Sequence, residues 1–99
     1  MNHSLKDFVV YSGNRVAEIS DKIYLSLFEA RNSSEVDEVL ANLSYVVIEL
    51  ESHQKALEER IQREEDLAVM AQAEQYQVSL NKLVGGYKTI EGLLKKRLR

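Results

Sequence analysis

Cysteine, proline and tryptophan are absent from this chain of 99 residues, and only four glycines occur, at Gly13, Gly85, Gly86 and Gly92. Without cysteine there are no disulfides, thiolate nucleophiles or thiolate metal sites, and the chain suits a reducing compartment. Without proline the strongest helix breaker is missing, one that costs roughly 3 kcal/mol inside a helix. Long apolar runs are missing as well. The most apolar stretch is Tyr45-Val46-Val47-Ile48, far short of the ~20 residues that span a bilayer. The segment from Met1 to Asp7 has no basic head followed by an apolar core, so no signal peptide is expected. These absences lead us to expect a soluble, cytoplasmic protein of one domain over residues 1–99.

Charge is plentiful and unevenly placed. The formal net charge is −3, yet residues 82–99 carry six cations against Glu91 alone, a net +5. The remaining residues carry 7 cations and 15 anions, a net −8. An acidic body with a basic tail is the compositional feature that bears most on function. A domain of this size also buries only about two-thirds of its unfolded surface, so self-association or a partner would add to its stability.

Apolar periodicity predicts helices throughout. Leu5, Val9, Ser12, Val16, Ile19, Ile23, Ser26 and Ala30 alternate spacings of four and three and form one stripe. Phe8, Tyr24, Leu27 and Phe28 widen it, giving a helix over about residues 5–31. Ser4 suits its N-cap, Asp7 its positive end, and Glu18 and Lys22 pair one turn apart. Asn32-Ser33-Ser34 predicts a turn at 32–34, with Ser33 or Ser34 capping the next helix. That helix has a seam at Val36, Leu40, Leu43, Val47, Leu50, Gln54, Leu57 and Ile61, flanked by the pairs Glu51–Lys55 and Glu59–Arg63.

The phase then slips. A second seam at Val69, Ala73, Tyr76, Leu80, Leu83, Tyr87, Ile90 and Leu94 does not continue the first. Between them, residues 58–66 hold seven charged side chains in nine positions. Two all-α architectures accommodate the slip. In the first, a helical hairpin contains one long coiled-coil-like helix over about 35–84, a break at 85–86 and a short helix over about 87–98. In the second, the chain turns near Arg63–Asp66 and makes a three-helix bundle. No glycine, proline or asparagine marks a turn there, so the continuous helix is the leading expectation. It would be about 75 Å long against about 40 Å for the first helix, leaving the 69–94 seam uncovered.

Catalytic chemistry is sparsely supplied. His3 and His53 are the only histidines, and His53 reads as an ordinary surface or seam-edge residue. Glu49 lies one turn before it, but the di-metal bundle pattern Glu-x-x-His needs an acid at position 50, which is leucine. Gly85-Gly86-Tyr87-Lys88-Thr89 lacks the first glycine and the Gly-Lys-Ser/Thr ending of a phosphate loop, and reads as a helix break. Ser12, Ser20, Ser26, Ser44 and Ser79 have no histidine in register, and read as small residues at helix contacts. No catalytic residue, metal or cofactor is expected.

What remains is binding. Tyr76, Leu80, Leu83, Tyr87, Ile90 and Leu94 would be the hydrophobic anchors of an uncovered seam. Lys95, Lys96, Arg97 and Arg99 would steer approach to a partner, or simply complement the negative end of a helix. The expectation is a non-enzymatic helical protein-interaction module (adaptor, chaperone or inhibitor), with a homodimer as one form. The alternative is a nucleic-acid-associated accessory factor that uses the basic tail. Secretion chaperones, phage-encoded modulators and coiled-coil adaptors share this size and texture, and no motif here separates them.

Overall fold

The computed structural model describes residues 4–97. It contains three helices, α1 (Leu5–Glu29), α2 (Ser33–Arg63) and α3 (Leu67–Arg97). The all-α class and the three-helix alternative are therefore what is found, and the single helix over 35–84 is not. None of the described helices is long and apolar enough to cross a membrane.

Local chemistry sets each boundary. Ser4 caps α1, its hydroxyl accepting from the Asp7 N–H at 3.2 Å. Asn32, not Ser33 or Ser34, caps α2, its side-chain oxygen accepting from the Glu35 N–H at 2.9 Å. The Glu35 carboxylate reaches back to the Arg31 N–H, so the two residues close the turn reciprocally.

The turn between α2 and α3 replaces the expected continuity. The Glu64 backbone is extended at ψ 136°, and its carboxylate accepts from the Asp66 N–H at 3.1 Å. Asp66 then accepts from the N–H groups of Ala68 at 2.9 Å and Val69 at 3.3 Å. An aspartate satisfies orphan amides at a helix start as well as asparagine does. The charged stretch that looked helical supplies both a helix end and a cap.

The expected break at 85–86 is absent as well. α3 runs through Gly85 and Gly86, and no glycine adopts a positive φ among the described residues. Two glycines cost a helix about 2 kcal/mol together. Buried Leu80, Val84 and Tyr87 on either side outweigh this, each giving roughly 1.5–3 kcal/mol on burial.

The helices run up, down and up, since contacts between α1 and α2, and between α2 and α3, pair rising with falling numbers. Ser12 meets His53 and Arg15 meets Glu49. Gln54 meets Asn81 and Ser44 meets Glu91. The rod measures 50 × 20 × 20 Å. Its centre holds Leu43, Leu50 and Leu57 from α2 and Leu80 from α3, with Ile19 and Ile23 from α1. All three predicted seams therefore face inward, and the third is covered by α1 and α2.

Candidate functional site

The turn at 64–66 decides where the predicted binding residues lie. Leu80 and Tyr87 are buried, and the Tyr87 hydroxyl donates to Ser20 Oγ at 2.8 Å. Leu83, Ile90 and Leu94 are half-buried against the same core. Tyr76 is half-buried in a polar cluster with Ser12. The Tyr76–Leu94 seam is thus packed within the chain rather than presented to a partner. Lys95, Lys96 and Arg97 are exposed in the last turn of α3, with Lys95 3.8 Å from Glu91. Arg99 lies outside the described residues, as does His3.

One polar layer crosses the core. Ser12 from α1 is wholly buried, with its Oγ 2.7 Å from His53 Nδ1 on α2 and 2.6 Å from the Tyr76 hydroxyl on α3. The expectation that no serine has a histidine in register is overturned at Ser12, because the α1–α2 turn brings the two faces together. The expectation of a surface or seam-edge His53 is overturned too, since His53 is buried. Burial pushes its pKa down, more than the nearby Glu49 carboxylate raises it, and Arg15 lowers it further. Above pH 6.5 the ring is therefore neutral. Nε2 faces the accepting Glu49 Oε2 at 3.6 Å, which assigns the ring proton to Nε2; Nδ1 then accepts from Ser12, and Ser12 from Tyr76.

Glu49 is held in place by a two-pronged bond from Arg15, at 2.8 and 3.0 Å. Those bonds keep its carboxyl below the ordinary value of 4.5 despite partial burial. Tyr11 stacks on His53, at 5.9 Å and 12° between rings, and Arg60 lies 4.3 Å above the Phe8 ring. A serine, a histidine and a glutamate stand in series here, yet the Ser12 Oγ is enclosed on every side. An electrophile has no path to it, and both its hydrogen-bonding directions are taken. The layer fixes the register of three helices. Among the described residues there is no group of three or more histidine and acidic side chains that could hold a metal ion.

The surface between α1 and α2 is different. An open groove of about 580 Å³ has Ile19, Ile23 and Val46 among its lining, and Leu25 and Tyr45 stand along it. Leu25 is 61% exposed and Tyr45 75%. Phe28 on α1, 79% exposed, and Ile48 on α2 are also exposed but do not line the groove, and Ile48 shares the α2 stripe of Ser44 and Glu51, which bond α3. Tyr24 is exposed one turn from Phe28. Sequence reasoning placed Tyr24 and Phe28 in the apolar face of the first helix, and their exposure corrects that. Tyr45 and Ile48 were legible: four consecutive apolar residues in a helix cover more than one face, and the α2 seam uses only Val47 of the four.

The chain is thus a three-helix bundle with a sealed polar layer and an open groove between α1 and α2, along which Leu25 and Tyr45 are exposed. Comparison with family models, with curated proteins and with solved structures found no match to it.

Proposed function

We propose that the chain is a non-enzymatic helical interaction module, binding a larger protein as adaptor, chaperone or inhibitor through its α1–α2 face. The exposure of Leu25 and Tyr45 along one groove floored by Ile19, Ile23 and Val46 carries this reading. Grouped apolar surface on a small domain is costly in water, and rimmed by polar side chains it marks an interaction site. Tyrosine supplies much contact area with little conformational entropy to lose. The exposed Lys95, Lys96 and Arg97 end of α3 would steer approach to an acidic partner. The lack of cysteine suits work in the cytoplasm.

The test is capture from the native lysate with an N-terminal tag, under nuclease and moderate salt, with Tyr45→Glu alongside. A stoichiometric protein bound by the native chain and lost by Tyr45→Glu supports the reading. Loss of every partner on nuclease treatment, with steep salt dependence, would transfer the function to nucleic acid and to the basic tail.

A further inference from the structure

We propose that the Ser12–His53–Tyr76 layer is a pH-driven hydrogen-bond switch, in which protonation of His53 reverses the direction of donation across the three helices while the fold stays intact. The switch lies in the interior, apart from the α1–α2 groove and independent of what binds there.

A serine hydroxyl has one hydrogen to give and two lone pairs with which to accept. Ser12 is wholly buried between two partners, His53 Nδ1 at 2.7 Å and the Tyr76 hydroxyl at 2.6 Å. Ser26, Ser79 and Thr89 each donate to the carbonyl four residues back in their own helix. Ser12 instead directs its hydrogen to another helix. With the ring neutral, Nε2 carries the hydrogen toward Glu49 and Nδ1 accepts from Ser12. Donation then runs inward, from Tyr76 to Ser12 to His53.

An imidazolium has two N–H donors and no acceptor. Nδ1 must then give to Ser12 rather than take. The remaining partner for the Ser12 hydrogen is the Tyr76 oxygen. Tyr76, the most exposed of the three, accepts it and turns its own hydrogen away from the layer. The protons balance step by step. The Ser12 O–H bond breaks as Nδ1–H forms, and the Tyr76 O–H bond breaks as a new Ser12 O–H forms. A proton from a solvent acid replaces the one on Tyr76. The net change is one positive charge on the ring, with no heavy atom displaced.

The surroundings tune the switch without blocking it. From α2, Glu49 favours the charged ring at 3.6 Å, and from α1, Arg15 opposes it. Arg15 also grips Glu49 through two bonds, which keeps that carboxylate aimed at Nε2 in both states. Asp7 of α1 and Arg60 of α2 flank the Phe8 and Tyr11 rings that lie against His53. α3 presents the Tyr76 hydroxyl. Burial outweighs Glu49 and sets the reversal below pH 6.5.

Nuclear magnetic resonance of the full chain, with imidazole nitrogens and tyrosine ζ-carbons labelled, tests this from neutral pH downward. His3→Gln leaves His53 as the sole histidine. The neutral ring should carry its hydrogen on Nε2 and take up a proton on acidification while the backbone spectrum stays folded. The Tyr76 ζ-carbon should shift with the His53 midpoint, and that of exposed Tyr45 should not. In Tyr76→Phe the Ser12 hydrogen loses its acceptor in the charged state alone, so His53 should bind its proton roughly fivefold more weakly. A neutral ring with its hydrogen on Nδ1, a Tyr76 signal that ignores the His53 titration, or an unchanged His53 midpoint in Tyr76→Phe would each overturn the proposal. So would unfolding on the first proton taken up by His53, since the layer would then break rather than reverse. If Tyr76→Phe does not fold, the Tyr76 ζ-carbon of the native chain decides alone.

Discussion

Ser12 and His53 are 41 residues apart in sequence, yet they share a 2.7 Å hydrogen bond in the buried interior of the bundle. Tyr76 completes the contact from the third helix. The bond forms only when α1 and α2 are in one register, so it acts as a positional pin among otherwise interchangeable leucines.

Ser12→Ala should therefore cost more than one neutral hydrogen bond. It leaves both His53 Nδ1 and the Tyr76 hydroxyl without this partner in a buried place, a loss of about 1–3 kcal/mol. Tyr76→Phe removes only the outer donor and should cost about 1 kcal/mol. Urea denaturation of the two variants measures both. An unchanged midpoint for Ser12→Ala would mean that the layer adds nothing to stability.

His53, the histidine of this layer, makes stability depend on pH. The folded state holds the His53 pKa below its ordinary value of 6.5. Above that value both folded and unfolded chains keep the ring neutral, and the contribution is fully present. As pH falls below it the unfolded chain takes up a proton that the folded chain resists, and stability declines toward the lower folded pKa. Glu49, held below 4.5 by Arg15, adds a second loss of the same sign at lower pH. The denaturation midpoint should thus drop between about pH 7 and pH 5, where histidine titrates, and His53→Gln should flatten that part of the profile. A midpoint that rose on acidification would show that the His53–Glu49 attraction, at 3.6 Å, exceeds the cost of burying the charge.

Glycine substitutions test the continuity of α3. Gly85 and Gly86 have helical neighbours on both sides, and a Cβ built at either meets nothing within 4 Å. Alanine fits without strain and reduces the freedom of the unfolded chain, so each change should stabilise by about 0.4–1 kcal/mol. At Gly13 an added Cβ would sit 3.9 Å from Tyr76 Cε1, an ordinary contact, and the same gain is expected. Thermal melting measures each. A lower melting temperature for Gly85→Ala with Gly86→Ala would mean that the chain departs from a helix at this point.

These residues also show what the sequence reveals and what it hides. Periodicity identified each seam, because the inward stripe of a helix is a property of one segment. Leu43, Leu50, Leu57, Ala73 and Leu80 all stand where the alternation of four and three puts them. It could not say which seam meets which, because that depends on a single turn. Glycine, proline and asparagine signal turns strongly, whereas Asp66 capped α3 from within a run of charges that also suits a helix surface. Misreading that one aspartate left the 69–94 seam uncovered and made its core residues look like anchors. The run Tyr45–Ile48 already implied that some of its apolar residues face outward, whereas the exposure of Leu25 and Phe28 follows only from how α1 packs.

Asp66→Ala is the direct check on that turn. It removes the acceptor of the Ala68 and Val69 N–H groups and should cost about 1 kcal/mol. Amide exchange should quicken over the first turn of α3 while the α2 core holds. Equal protection across 60–70 in the native chain and the variant would indicate one continuous helix.

The strongest contrast between a buried seam and a free one lies in Leu80 and Tyr87. Were they surface anchors, alanine would abolish assembly and leave the helices intact. Both are instead enclosed, Leu80 at 1% exposure and Tyr87 at 3%. Leu80→Ala should cost about 2–5 kcal/mol through the cavity it leaves, and Tyr87→Ala a similar amount. For a domain whose whole stability is of order 5–15 kcal/mol, either change should lower the denaturation midpoint steeply, and the pair should erase cooperative unfolding. Tyr45→Ala, at an exposed site, should stay within about 0.5 kcal/mol of the native monomer. If Tyr87→Ala instead kept full stability and Tyr45→Ala did not, the inward and outward faces of the bundle would be exchanged, and α3 would have to be the docking helix after all.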